Sequence, residues 1–338
     1  MTNLWKNLLI GGFLAAFLVF LGFFNATKPR ILVLHSAGAD SSWAQQVDRG
    51  MNEALARNRR PLSVERNYLD LDYPAAPRRV EEARAEARRA VARFQPDVLI
   101  AVDDEANSLV ARDYVGRESP RILYVSLNRP PADFGYAGAA NVSGIAERLP
   151  FAAVRDAVMD LFPGRAPTVA VIGVETESGE AEMTQARAFA WSPLSVDEAA
   201  LVATAEDWRA FVQRVAKTDV LLVLGTHDLP GEGGVTVRAA EINRWTEEQA
   251  RPLPIGTQVN FVEDGGGLSF SPPPDDSGAR AIGLALDWLD ARDTPGAPPA
   301  LVSDHFEVAV RPVRLRERGL VLPAIYLEAA RENGTLFK

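Results

Sequence analysis

No cysteine occurs in the 338 residues. Its absence removes thiol nucleophiles, cysteine-ligated zinc sites and disulfides in one step. Histidine is nearly as scarce, with three copies at His35, His227 and His305. A metal site built on His227 and Asp228 lacks a convincing third ligand. There is no G-x-S-x-G elbow for a serine nucleophile, and no Lys-Ser/Thr pair follows Gly231-Glu232-Gly233-Gly234 to make it a phosphate loop. No motif calls for a cofactor or a metal, and the chain reads as a non-enzyme; a Ser/His/Asp arrangement assembled by the fold stays open as a hydrolase alternative. Basic charge is also short: the net charge of -9 excludes nucleic acid as the main partner, because phosphate binding needs a basic footprint.

What is present is globular. At 47% hydrophobic and 24% charged residues, the chain can build real cores, and its length suits two domains of ordinary size. One arginine-rich stretch stands out: Arg78, Arg79, Arg84, Arg88, Arg89 and Arg93. Glu81, Glu82 and Glu86 interleave with it at helical spacing, so it reads as a solvated helix face.

The run from Leu8 to Phe24 is unbroken in its apolar character, with Lys6 before it and Lys28 and Arg30 after. Seventeen residues is long for a signal-peptide core and short for a spanning helix. Cleavage after Ala26 would put Phe24 at a position that wants a small residue. Residues 1-28 are therefore expected to be an uncleaved membrane anchor through 8-24, with a cleaved signal as the alternative. Both place the rest of the chain outside the cytoplasmic membrane.

From Arg30 onward, apolar strand-length runs alternate with helical patterns. Ile31–His35, Leu62–Tyr68, Val98–Val102 and Ile122–Leu127 read as strands separated by helices over Trp43–Asn58, Val80–Phe94 and from Asp104 to about Val115. The pattern restarts after Asn141–Ala146: strands at Val169–Gly173, Val196–Ala203, Val220–Leu224 and Leu253–Thr257, with helices between them. Glycine and proline clusters then bracket Leu268–Ser271. A helix over Ala279–Ala291, a Pro295–Pro299 linker, a strand at Phe306–Val310 and a helix at Ala324–Arg331 complete the chain. Repeated βα units predict parallel sheets with helices on both faces.

Four segments carry a family resemblance: ILVLHSAGADSSWAQQVDRGMNEAL at residues 31-55; Asn141-Val142-Ser143-Gly144-Ile145 with the helix ending in Leu161-Phe162-Pro163-Gly164 and the strand TVAVIG; FVEDGGGLSFSPPPDDSGARAIGLALDWLD at 261-290; and FEVAVRPVRLRERGLVLP at 306-323. Together they resemble the substrate-binding proteins of ABC transporters with the type 1 periplasmic binding protein fold, in particular the tryptophan- and tyrosine-type binding proteins. The resemblance implies an α/β fold of two Rossmann-like lobes with parallel sheets, joined by a three-crossing hinge and preceded here by the N-terminal hydrophobic helix. The expected division is 29-145 and 269-338 for the first lobe and 146-268 for the second. It also implies a small-molecule ligand, delivery to an ABC permease or reading by a membrane receptor, a periplasmic or extracytoplasmic location and a monomeric chain. The lipid-modified cysteine of many exported relatives is missing, and the first-lobe loop Asp103-Asp104-Glu105 is acidic where relatives are often neutral.

Ligands of open parallel sheets bind beyond the carboxyl ends of the strands. The expected ligand contacts are thus Ser36, Trp43, Asp103, Asp104, Ser126 and Asn128 from the first lobe, and Glu175, Ser178, Thr226, Asp228 and Gln258 from the second. Helix N-termini in these loops suit a carboxylate, Asp103 or Asp228 could accept an ammonium, and Trp43 could stack on a flat or cationic ligand. Bland roles compete: Asp104 as a helix cap, Trp43 as packing, and the glutamates at 175, 177, 180 and 182 as a solvated helix start. The reading is a solute-binding protein closing on a small polar ligand, amino-acid-like among the candidates, with a membrane-tethered sensor as the alternative.

Overall fold

The computed structural model describes residues 2-71, 77-291, 296-303 and 305-338. Pro295, the start of the expected linker, lies outside them.

The first sheet begins with β1 (Arg30–His35), β2 (Ser63–Tyr68), β3 (Val98–Val102), β4 (Arg121–Leu127) and β5 (Val142–Ala146). Every neighbouring pair among these is parallel. Strands covered on both faces need apolar side chains on both, and Ile31 to Leu34 are all fully buried. The second sheet is built from β6 (Thr168–Val174), β7 (Ser195–Val202), β8 (Val220–Val223), β11 (Leu253–Gly256) and β12 (Leu268–Ser271), again parallel. A two-stranded hairpin, β9 (Leu229–Pro230) and β10 (Thr236–Val237), carries the Gly-rich 231-234 segment at its tip.

Helices cover both sheets. The first lobe has α2 (Ser42–Arg57), α3 (Pro77–Phe94) and α4 (Asp104–Leu109); the second has α5 (Phe151–Leu161), α6 (Glu177–Ala188), α7 (Ala205–Arg214), α8 (Ala239–Gln249) and the single turn α9 (Asn260–Glu263). Ser41 caps α2 by accepting from the Ala44 amide, and Thr176 caps α6 by accepting from Gly179. The helix expected to run to Val115 is shorter: the backbone breaks at Val110 and a separate 3₁₀ turn covers Ala111–Tyr114. On α3, Arg78 pairs with Glu82 at 2.8 Å, the solvated face expected from the spacing.

The chain crosses between the sheets three times. It leaves the first sheet after β5, returns to the first lobe with α10 (Pro274–Asp290) and β13 (Leu301–Val302), and crosses again to β14 (Glu307–Val310), which joins the second sheet. Two glycines let α10 lie directly on α2: a Cβ on Gly50 would fall 1.8 Å from the Asp275 carbonyl oxygen, and one on Gly278 would fall 2.1 Å from that of Val47.

This path corrects the expected lobe division. Of 269-338, only α10 and β13 belong with the first lobe. β12 pairs with β11, β14 runs antiparallel to β12 from Leu268↔Val310 to Ser271↔Glu307, and α11 (Pro312–Glu317) and α12 (Ala324–Glu332) follow it. The chain end stays there as well: the Thr335 hydroxyl donates to the Val308 carbonyl at 2.7 Å, and Phe270 meets Tyr326 edge-on at 5.8 Å.

The N-terminal segment forms α1 (Thr2–Thr27), with every side chain from Leu8 to Phe24 exposed. Among the described residues, no helix is long and apolar enough to cross a membrane. Seventeen helical residues rise about 26 Å, against about 30 Å of bilayer hydrocarbon. The expected membrane segment is therefore a helix but not, by length, a complete span.

Candidate functional site

The carboxyl ends of both sheets face one cleft, and it holds two adjoining chambers of about 160 and about 200 Å³. Ala37, Asp103 and His227 line both. Trp43, Asn128, Glu147, Ser178, Glu182, Thr226 and Gln258 line the first; Ser36, Leu71, Val80, Glu105, Leu109 and Glu177 line the second. Among the described residues, no lysine or arginine lines either chamber.

Asp103 is the pivot. It adopts φ +76, a left-handed conformation uncommon outside glycine, directly after β3. Three contacts hold it there. Its Oδ1 accepts from the Asp104 amide at 2.8 Å, the Asn107 side-chain amide donates to its carbonyl at 2.7 Å, and Tyr136 locks Asn107 by donating to Oδ1 at 2.7 Å. From the second lobe, the Ser178 hydroxyl reaches across to Asp103 Oδ1 at 2.9 Å and lies 3.3 Å from Glu105 Oε2. Arg129 Nη1 with Glu177 Oε2 at 3.3 Å, and the Gln185 amide on the Asn128 carbonyl at 3.3 Å, add two more contacts between the lobes.

The electrostatics are dominated by carboxyls out of bulk water. Burial pushes Glu147 up to about 8, with the Glu182, Asp103 and Asp104 charges adding to the effect and Ser126 working against it. Burial likewise raises Glu182 to about 7, although the Gly225 amide donates to its Oε2 at 2.8 Å. Glu105 rises well above the usual carboxylate range through burial and the Asp103 and Asp104 charges, and burial raises Asp103 too. His227 moves the other way: burial favours its neutral form, against the pull of Asp103 and Asp228. Among the described residues, no three histidine or acidic side chains converge to hold a metal ion.

Most of the contacts expected from sequence meet here. Ser36, Trp43, Asp103, Asn128, Ser178, Thr226 and Gln258 line the chambers. Four do not. Asp104 turns inward and accepts from the Asn128 amide at 3.2 Å and the Arg129 amide at 3.0 Å, tying the end of β4 to α4. Asp228 caps α8, accepting from the Ala239 amide at 2.8 Å, and pairs with Arg238 at 3.1 Å. Glu175 is exposed, and Ser126 is buried behind the wall at φ +51.

Four acidic wall residues escaped the sequence reading: Glu147 and Glu182 in the first chamber, and Glu105 and Glu177 in the second. Glu182 is 4% exposed, not part of a solvated helix start. It lies one turn beyond Ser178 on α6, and that i, i+4 spacing was the available signal. Glu147 is 5% exposed and sits on the first crossing, just after β5; its neighbourhood has no periodicity to reveal it.

No protein-family profile and no curated protein sequence matches the chain. Solved structures do. A conserved domain protein from Vibrio cholerae is 16% identical, with a TM-score of 0.68 over 92% of this chain and 100% of that one. An ABC domain in complex with L-Trp from Streptococcus pneumoniae is 15% identical, with a TM-score of 0.68 over 92% and 100%. A periplasmic ribose ABC transporter structure from Conexibacter woesei is 14% identical, with a TM-score of 0.57 over 89% and 97%. The chain thus has the fold of type 1 periplasmic binding proteins.

Proposed function

We propose that this chain is an extracytoplasmic solute-binding protein whose two lobes close on a small polar ligand and present it to an ABC permease. The observation that carries the reading is a single cleft walled by the carboxyl ends of two sheets, with Ser178 of one lobe bonded to Asp103 of the other. A solute in this cleft touches both lobes only when they are closed. Binding therefore shifts the open and closed populations by its differential affinity for the two. The three crossings supply the hinge. The wall is built to receive hydrogen-bond donors, so the ligand presents an amino group. Neighbours of this fold include proteins named for L-Trp, ribose and leucine, and their names describe binding and transport rather than catalysis, which favours a non-enzyme.

Thermal-shift measurement against amino acids, amines, sugars and nucleosides tests the reading. Stabilisation by one solute class is expected; no stabilisation by any of them overturns it.

A second reading, a ligand-sensing component held at the inner membrane, rests on α1 and its exposed apolar surface from Leu8 to Phe24. Alkaline extraction of membranes separates the two: retention favours the tethered form, release the soluble one.

A further inference from the structure

We propose that the cleft is selective for a linear aliphatic amine carrying two or more ammonium groups and no carboxylate. This rests on the solute-binding reading above and names its ligand class. Carboxyls divide between the chambers: Glu147 and Glu182 in the first, Glu105 in the second beside a Glu177 already paired with Arg129, with Asp103 facing both. A chain with an ammonium at each end matches that division. The second chamber's Leu71, Val80 and Leu109 give its methylene groups an apolar wall. Trp43 also lines the first chamber, where an aromatic ring can meet an ammonium.

An independent observation points the same way. Asn128 is 6% exposed and lines the first chamber, and its Oδ1 has no hydrogen-bond partner. Its side chain also acts on the neighbouring Asp104 carboxyl, and Oδ1 is left without a donor. A buried acceptor without a donor is costly, and a ligand N–H removes that cost. The Asn260 Oδ1 at the same wall is also unpartnered. An α-carboxylate finds the opposite environment, with no guanidinium or ammonium among the described residues lining either chamber.

Neutralising buried acids has a second consequence. Glu147 faces Ser126, Glu182, Asp103 and Asp104, and Glu182 faces the Gly225 amide, Asp103, Asp104 and Gln258, while the nearby Arg148 guanidinium is taken up by the Asn128 and Glu147 carbonyls and Arg129 by Glu177. These carboxyls hold protons near neutral pH when the cleft is empty of cations, and an arriving ammonium displaces them into solvent.

Calorimetric titration of the full-length chain in mild detergent, with 1,4-diaminobutane, 1,5-diaminopentane and spermidine against lysine, a neutral amino acid and a pentose, provides the test. The amines are expected to bind, with lysine at least about tenfold weaker, and repetition in buffers of different ionisation heat is expected to show proton release. Glu182→Gln is expected to weaken amine binding about tenfold. Binding of lysine as tight as that of the diamines, binding of a neutral solute without the amines, no proton release, or unchanged affinity in Glu182→Gln each overturns the ligand class while leaving a binding protein. Binding by no solute overturns the binding reading itself.

Discussion

Ser178 Oγ and Asp103 Oδ1 stand 2.9 Å apart on opposite lobes, and the serine belongs to the first turn of α6 while the aspartate caps α4. The bond exists only in the closed arrangement. Ser178→Ala is therefore expected to favour the open form, weakening ligand binding about three- to tenfold with little change in the melting temperature of the ligand-free protein. Small-angle scattering of the variant without ligand should give a larger radius of gyration; an unchanged radius and affinity would remove this bond from the closing mechanism.

The raised carboxyls make stability pH-dependent in a definite direction. Glu147, Glu182 and, near the third crossing, Glu307 have folded values of about 8, 7 and 7, above their ordinary 4.5. The folded state binds more protons than the unfolded one, so their contribution is complete below about pH 4.5 and is lost as pH rises toward 8. His227, whose value is lowered by burial, acts in reverse: its contribution is present above its ordinary 6.5 and lost as pH falls below it. Asp48, held near 2 against burial by His35, Tyr68 and Arg66, acts only in acid. The ligand-free protein should melt several degrees lower at pH 8.5 than at pH 5.5, as scanning calorimetry can show, and a flat profile would contradict the assignment.

Glu147→Gln separates stability from binding. Removing a buried acid that has no positive partner should raise the ligand-free melting temperature at pH 8.5 and flatten the pH profile, while the affinity for the solute falls. A variant that loses both stability and affinity would mark Glu147 as a structural residue instead.

Asp228→Asn checks the correction made by the geometry. The side chain caps α8 and does not reach the chambers. The amide oxygen can still accept from the Ala239 N–H, so little stability should be lost, with solute affinity unchanged. A tenfold loss of affinity would return Asp228 to the site.

Gly278→Ala addresses the first lobe. The new methyl meets the Val47 carbonyl of α2, a rigid backbone atom, so helix α10 must move off α2. Destabilisation of about 1–3 kcal/mol or more is expected by denaturant unfolding.

The strands were legible because parallel strands buried on both faces leave continuous apolar runs such as Ile31–Leu34 and Val220–Leu224. The restart of the pattern after Asn141 likewise exposed two lobes. The last crossing was not legible. Phe306–Val310 alternates as an edge strand does, and an edge strand fits either sheet; only its register on β12 decides. The cleft loops could be named from the topology rule, yet not which carboxyl turns in. Asp104 and Asp103 are adjacent, and one ties down backbone amides while the other faces the cleft. That choice depends on the left-handed backbone at Asp103, which Asp in a DDE run does not announce.

Glu147 lies on a connecting strand between the lobes as well as in the wall of the cleft. Substitutions at Glu182 can retune which solute is held and leave the joint alone. Substitutions at Glu147 change the cargo and the swing together. A lineage moving to a new solute thus has an easy route through α6 and a constrained one through the joint, and a biosensor built on this chain should be reprogrammed from α6.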